Sequence, residues 1–375
     1  MLSKLRVQHY KSLFDLEVDL KPLTVFIGSN GSGKSNVCEA LFVLSNFLER
    51  LIANTNHYEV IPFFAQSLIA VNPNQQKIES KFWQGKQDYL FLEVSYLPNL
   101  KSQKSSSTIS IHIDYPPRIV TINNQEDSGE IRTGTNPYTQ ELRNFLVSNN
   151  YLDSPLAKAI RKVSIYDFAP ISLSNNIPST GGMDKTGQGI VDALADILLS
   201  NRKSFDELEE RLIRLVPNIQ RISLLRREDR TFLLELIDRY SEHHIPASDI
   251  SDGTLRILAF LTALYQENTP SIICFEEIEN GVHPWLLHKM MELLQIISTE
   301  GITGKPVQVL ITTHSPVLLN YVEPQQVRAV ELDTEGKTQI HALPIDSERF
   351  QKALEAYDGE LGELWFTNVF GGNPV

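Results

Sequence analysis

Residues 28–35, Gly28-Ser29-Asn30-Gly31-Ser32-Gly33-Lys34-Ser35, have the G-x-x-x-x-G-K-S spacing of a loop that wraps phosphate oxygens. Glycines let backbone N–H groups curl around an anion, and a helix starting where the loop ends adds its positive dipole. Lys34 is placed to reach the β- and γ-phosphates of a nucleotide, and the Ser35 hydroxyl to hold Mg²⁺. With Asn30, Ser32 and Asn36, these residues form the candidate nucleotide-binding set. The chemistry needs a strand before the loop and a helix after it. Residues 23–27 (LTVFI) are a five-residue apolar run that predicts the strand. Val37, Leu41, Leu44, Leu48 and Leu51, four and three apart, predict a helix with one apolar stripe.

Three further runs lie far downstream. Ile272-Ile273-Cys274-Phe275 lead straight into Glu276-Glu277. That pattern puts two carboxylates at the C-terminal end of a buried strand, where open α/β sheets bind ligands. Ser251-Asp252-Gly253-Thr254 opens an apolar helical run to Tyr265. A serine hydroxyl, a glycine N–H and a helix N-terminus make an anion site, although the same four residues alone also describe a helix cap. Residues 308–316 (QVLITTHSP) form another buried strand, ending at His314. Continuous apolar runs of this kind suit the centre of a parallel sheet covered on both faces.

The rest of the chain supplies a frame. Residues 1–21 alternate as two strands before the break at Pro22. Residues 91–97 and 108–115 also predict strands, whereas the Asn-, Gly- and Ser-rich stretches 122–137 and 173–189 predict loops. Residues 153–162 predict a helix with a capping residue and a first-turn proline, followed by a strand at 163–168. Residues 205–217 predict an amphipathic helix ended by Pro217, and 232–240 fit a strand or a helix, with the strand favoured. Glu331 and Asp333 sit in a setting, ELDTEGKT, that predicts a hairpin turn.

Composition narrows the class. The chain has 375 residues, 42% hydrophobic and 21% charged, as in an ordinary globular protein with a sizeable core. A net charge of −12 excludes nucleic-acid binding by bulk attraction. Arg221, Arg226, Arg227 and Arg230 are interrupted by Glu228 and Asp229, which describes a solvated face. Two cysteines, Cys38 and Cys274, both in apolar patterns, exclude a disulfide framework and fit a reducing compartment. The N-terminus lacks a signal-like apolar core, and the longest apolar run, 255–265, is too short for a bilayer and carries Arg256. A cytoplasmic protein without a membrane segment is expected. Neither His243-His244 nor His283 with His288 has zinc-site spacing.

The order of phosphate loop, SDGT, apolar strand with Glu276-Glu277 and TTHSP resembles the ABC-type ATPase heads of the RecF, SMC and OLD group, over roughly residues 1–55 and 248–330. The resemblance implies an α/β P-loop NTPase with a mixed sheet core, N-terminal antiparallel strands and an inserted α+β lobe. Residues 1–55 would be the first part of the head with Walker A, 56–190 the inserted lobe, 191–345 the second part of the head, and 346–375 a tail. It implies ATP and Mg²⁺ as cofactors, with Ser35 and Glu276 on the metal and Lys34 on the phosphates. Glu277 takes the place of the general base that polarises the attacking water, and His314 that of the switch histidine at the γ-phosphate. Ser251, Gly253 and Thr254 stand in the signature motif, which in the family receives the γ-phosphate bound by a second subunit, and 279–284 in the D-loop. The chain departs from the family at Glu276 (more often Asp), at Asp252 and Thr254 (S-G-G-Q in the usual signature) and at Ile278 (a proline in relatives). Gln188 is a candidate for the Q-loop, and Lys11 and Ser12 for adenine contacts.

About 215 residues, with prolines, glycines and strands, separate the loop from Ser251, which leaves no room for a long coiled coil. About sixty residues follow His314, too few for an appended nuclease domain. The expected activity is therefore ATP binding and hydrolysis in a homodimer closed around ATP, with assemblies beyond two copies left open. Such a switch would act on a separate effector protein, a nuclease or toxin, in prokaryotic anti-phage defence. Two alternatives stand beside it: an ATP-gated scaffold or sensor with little turnover, and a RecF-like DNA-repair ATPase acting on nucleic acid. The apolar tail GELWFTNVFGGNPV would either meet a partner or dock on its own head.

Overall fold

A computed structural model describes residues 1–53, 66–67, 89–96, 107–114, 120–124, 129–132, 144, 147, 154–175, 177, 182–229, 231–266, 269–302 and 304–372. In chain order its first elements are β1 (Leu2–Tyr10), β2 (Leu13–Asp19), β3 (Leu23–Ile27), α1 (Lys34–Ala53), β4 (Tyr89–Tyr96), β5 (Ser107–Asp114), β6 (Val120–Asn124) and β7 (Gly129–Arg132). Next come α2 (Pro155–Ile160), β8 (Val163–Tyr166), α3 (Pro170–Ser174), α4 (Ile190–Ser200), α5 (Arg202–Leu215), β9 (Ile219–Arg226), β10 (Phe232–Asp238) and β11 (His244–Pro246). The chain continues with α6 (Asp252–Tyr265), β12 (Ile272–Glu276), α7 (Pro284–Thr299), β13 (Gln308–Thr313), α8 (Pro316–Leu319), β14 (Val327–Leu332), β15 (Thr338–Ala342), α9 (Glu348–Ala356) and α10 (Leu361–Phe366).

The chain forms two compact units: Met1–Ile165 with Pro270–Cys274 and Val307–Val375, and Tyr166–Thr269 with Phe275–Pro306. The first holds two six-stranded sheets. One is antiparallel, in the order β2-β1-β4-β5-β6-β7, and its strands bury alternate side chains such as Leu5 and Val7. The other runs β15-β14-β3-β13-β12-β8. Here β3 lies between β14 and β13, parallel to both, and all five of its residues are buried, as the unbroken apolar run demands. Helix α1 turns its stripe (Val37, Leu41, Leu44, Leu48, Leu51) into a core shared with Leu5 and Leu92 of one sheet and Phe26 and Leu310 of the other. The buried Gln308 amide ties the sheets together, accepting from the Leu2 N–H and donating to the carbonyls of Leu2 and Lys21.

The second unit has the antiparallel meander β9-β10-β11 with α4 and α5 against it. Helix α6 packs on α3, α4 and α5 and is buried continuously from Ile257 to Tyr265. Phe275 stacks with Tyr166 and meets Phe168 and Phe260, so the residue before Glu276 is fixed by an aromatic cluster.

Several elements depart from the sequence expectations. The strands expected in an inserted lobe at 56–190 pair onto β1 (Val7 opposite Leu92) and continue its sheet. The chain passes between units after Ile165, Thr269, Cys274 and Pro306, away from the boundaries drawn at 55, 190 and 345. Residues 122–137, expected to be loop, contain the end of β6 and all of β7, because backbone pairing with a neighbouring strand outweighs a polar composition. Most of 54–88 lies outside the described residues, as do Asp153 and residues 373–375 of the tail. Ser154 caps α2 by accepting from the Ala157 N–H, ahead of Pro155. The tail docks on its own unit: α10 packs against α8, and the Gly372 N–H donates to Glu331. Among the described residues no helix is long and apolar enough to cross a membrane.

Candidate active site

In the first unit the phosphate loop leaves β3 and enters α1 at Lys34. Its glycines are there for different reasons. Gly31 and Gly33 have φ of +79° and +100°, which side-chain-bearing residues adopt at a cost of about 1–2 kcal/mol. A Cβ on Gly28 would lie 2.1 Å from the Val330 carbonyl oxygen, so the loop leaves the sheet pressed against β14. The buried Lys34 ammonium curls back and donates to the carbonyls of Gly28 and Ser29, at 2.8 Å each. The Ser32 Oγ is buried without a hydrogen-bond partner, a polar atom aimed into the loop. His314 follows Thr313, and Thr313 is register-paired with Ile27, so the histidine stands level with Gly28 one strand away.

A polar brace stands behind the loop. Thr338 Oγ1 on β15 donates to the Ser32 carbonyl at 2.9 Å and lies 2.7 Å from the Ser12 Oγ. Asn36 Nδ2 donates to the same Ser12 oxygen at 2.7 Å, and the Thr338 N–H donates to the Ser12 carbonyl. A Cβ on Gly33 would lie 2.1 Å from Thr338 Oγ1 and 2.6 Å from Ser12 Oγ, so the loop fits only as glycine there. Ser12 and Asn36 thus serve the loop from outside it. Lys11, the other adenine candidate, forms an ion pair with the buried Glu39 of α1.

In the second unit Glu276 ends β12 and Glu277 begins the turn that follows. Glu276 is buried; its Oε2 takes the Lys185 ammonium at 2.5 Å, while Oε1 is buried without a hydrogen-bond partner. Glu277 has φ +47°, a conformation of stored strain for a residue with a side chain. Asn280 holds it there, Nδ2 donating to Glu277 Oε2 at 2.7 Å and the Asn280 N–H to the Glu277 carbonyl at 3.0 Å. Ser251 is the N-cap of α6: its Oγ accepts from the Thr254 N–H and donates to Thr254 Oγ1 at 2.9 Å. A Cβ on Gly253 would lie 2.7 Å from the Gly281 carbonyl oxygen, so the 251–254 turn and the 279–284 loop are in close backbone approach. The neighbouring Arg256 has a buried Nε without a hydrogen-bond partner.

The comparisons with known proteins agree with this anatomy. Residues 1–180 match a family described as an AAA ATPase domain, and residues 181–320 one described as an AAA domain, putative AbiEii toxin, type IV TA system. Both matched stretches are thus similar to AAA-type ATPase domains. A Helicobacter pylori protein named ATP/GTP phosphatase is 23% identical, with 98% of each chain covered. Among solved structures, an SMC head bound to the C-winged helix domain of ScpA has a TM-score of 0.57 at 14% identity, covering 92% of this chain and 98% of that one. The Pyrococcus furiosus SMC head with an extended coiled coil, bound to the C-terminal domain of ScpA, has 0.54 at 13% identity, covering 95% and 99%. These two likenesses establish the α/β head fold.

Within this fold, residues 28–36 and His314 are in the first unit, and Ser251, Gly253, Thr254, Glu276 and Glu277 are all in the second. Sequence reasoning missed Thr338 and Lys185, and placed Asn280 in the D-loop without its bond to Glu277. Asn280, three residues after Glu277, was within reach of a local reading; the other two had no signal. Gln188 contributes through its backbone, donating to Asp184 Oδ1 and accepting from the Asp184 N–H. The remaining histidines have structural partners: His283 caps α7, His288 pairs with Glu292, and His244 with Glu235. Arg221, Arg226 and Arg227 are exposed, as a solvated face requires, and Arg230 lies outside the described residues. Among the described residues no cluster of three or more His, Cys, Asp or Glu could hold a metal. The buried Glu276 carboxylate, with one oxygen unpartnered, is a hard donor of the kind Mg²⁺ takes.

Proposed function

We propose that the protein is an ATP-driven switch in which two copies close head to tail around two ATP molecules. In this reading, residues 28–36 of one copy hold the phosphates, and Ser251, Gly253 and Thr254 of the other copy receive the γ-phosphate at the capped start of α6. Ser35 and Glu276 hold Mg²⁺, which neutralises developing charge on the phosphates when bound. Glu277 takes the proton of the attacking water, Lys34 leaves its two loop carbonyls for the phosphates, and His314 senses the γ-phosphate. The carrying observation is Glu277, held at φ +47° by Asn280, an arrangement expensive for a surface carboxylate and reasonable for a general base. Hydrolysis would open the pair and release or activate a separate effector, in an anti-phage role. SMC heads meet a partner protein by their description, and one matching family is described through a toxin system, which lends support to an effector partner.

The test is mass in solution with phosphate release recorded alongside, for the wild type and Glu277→Gln, with and without ATP and Mg²⁺. The reading expects dimer only with ATP, and in the variant an accumulated dimer with turnover lowered by roughly 10²–10⁴-fold. A Glu277→Gln protein that stays monomeric and ATP-free would sink it. A second reading, an ATP-gated scaffold with little turnover, draws on the Lys185–Glu276 ion pair, which sets a cation on the carboxylate expected to hold metal. Stoichiometric ATP retained through purification with no phosphate release would favour it.

A further inference from the structure

Lys185 is delivered to Glu276 by a segment with its own internal order. The Asp184 carboxylate accepts from the Thr186 N–H at 2.8 Å, the Thr186 hydroxyl at 2.9 Å and the Gln188 N–H at 3.0 Å. The Asp167 and Ala169 N–H groups donate to the carbonyls of Lys185 and Thr186, at 2.8 and 2.9 Å. The lysine is therefore fixed at its Cα, and its ammonium takes one Glu276 oxygen while the other stays buried and unpartnered. A structural ion pair in a protein interior normally engages both carboxylate oxygens, because an unmet acceptor there costs about 1–3 kcal/mol.

We propose that Lys185 is a positioning residue for ATP turnover: it orients Glu276 so that Oε1 is the oxygen presented to the divalent cation, and its charge weakens the carboxylate's hold on that cation. The inference rests on the ATPase reading above and deepens it. Two cations sharing one carboxylate repel each other through a poorly screening interior. Lys185 thus keeps the metal site weak enough to turn over and keeps its geometry fixed. The departure from Asp to Glu at position 276 fits, because the longer side chain can serve both cations.

The experiment measures binding of a fluorescent ATP analogue at a series of Mg²⁺ concentrations, and kcat separately, for wild type, Lys185→Met, Lys185→Gln and Lys185→Arg. The expected outcome for Lys185→Met and Lys185→Gln is a half-saturating Mg²⁺ concentration lowered about tenfold, as removal of one neighbouring like charge gives. Their kcat falls about tenfold because the carboxylate loses its orientation, and Lys185→Arg restores both values. Unchanged or raised Mg²⁺ requirement in both neutral variants would overturn the inference. If Lys185→Met does not fold, Lys185→Gln, which keeps a donor without the charge, decides. Wild-type protein that binds no nucleotide would instead overturn the ATPase reading itself, and this inference with it.

Discussion

The phosphate loop and the carboxylate turn are built on opposite principles. Around residues 28–35 the fold holds the backbone rigid from behind: β3 is buried between two parallel partners, and Thr338, Ser12 and Asn36 form a connected brace. Around residues 276–281 the fold leaves tension in place. Glu277 sits at positive φ, one oxygen of Glu276 and the Nε of Arg256 are buried without hydrogen-bond partners, and the backbones of Gly253 and Gly281 are pressed together. Binding a polyanion needs fixed donors, whereas moving protons and metal needs groups with unspent valence. On the proposed reading, preorganisation stands where the nucleotide would be held, and strain where its hydrolysis would take place.

Substitutions can break this contrast from either side. The largest effect belongs to Glu277→Gln, where turnover should fall roughly 10²–10⁴-fold while nucleotide affinity holds. Equal losses in both would show that the turn is scaffold as well. Gly33→Ala tests the loop: its Cβ would strike Thr338 and Ser12, and its φ of +100° is wrong for alanine. A loss of about 10–100-fold in nucleotide affinity is expected by calorimetry, with little change in kcat at saturation. Asn280→Ala removes one charge-assisted bond to the Glu277 carboxylate, which should lower kcat about tenfold and leave the melting temperature nearly unchanged. Thr338→Val keeps shape and removes the hydroxyl from Ser32 and Ser12, at about 1–2 kcal/mol in denaturant unfolding. The accompanying loss of ATP affinity should be only a few-fold, because the loop's own glycines still shape it.

The two regions also differed in how much of them could be read in advance. The loop, its strand and its helix are local in sequence, and the apolar run at Leu23–Ile27 and the stripe of α1 were enough to place them. The Ser251 cap was equally legible, since its partner Thr254 is three residues away. The Lys185–Glu276 pair was hidden because it joins side chains about ninety residues apart with no pattern in either neighbourhood. The positive φ of Glu277 was hidden because composition says nothing about backbone conformation outside glycine and proline. Strands β6 and β7 were misread for a related reason: pairing of β6 with β5, and of β7 with β6, decides their conformation, and their own polar residues do not.

The brace between Thr338 and Ser32 spans 306 positions of sequence. A ribosome working at about 5–20 residues per second would take roughly 15–60 s to go from one to the other. Throughout that interval the nascent chain displays a complete phosphate-loop sequence whose Ser32 carbonyl faces water and whose glycines are unrestrained. Any nucleotide meeting it must bear the full entropy of ordering the loop. On the proposed reading, the loop is fully restrained for ATP only once β13 and β14 flank β3 and β15 is seated behind it, so bound ATP becomes a timestamp of completed assembly.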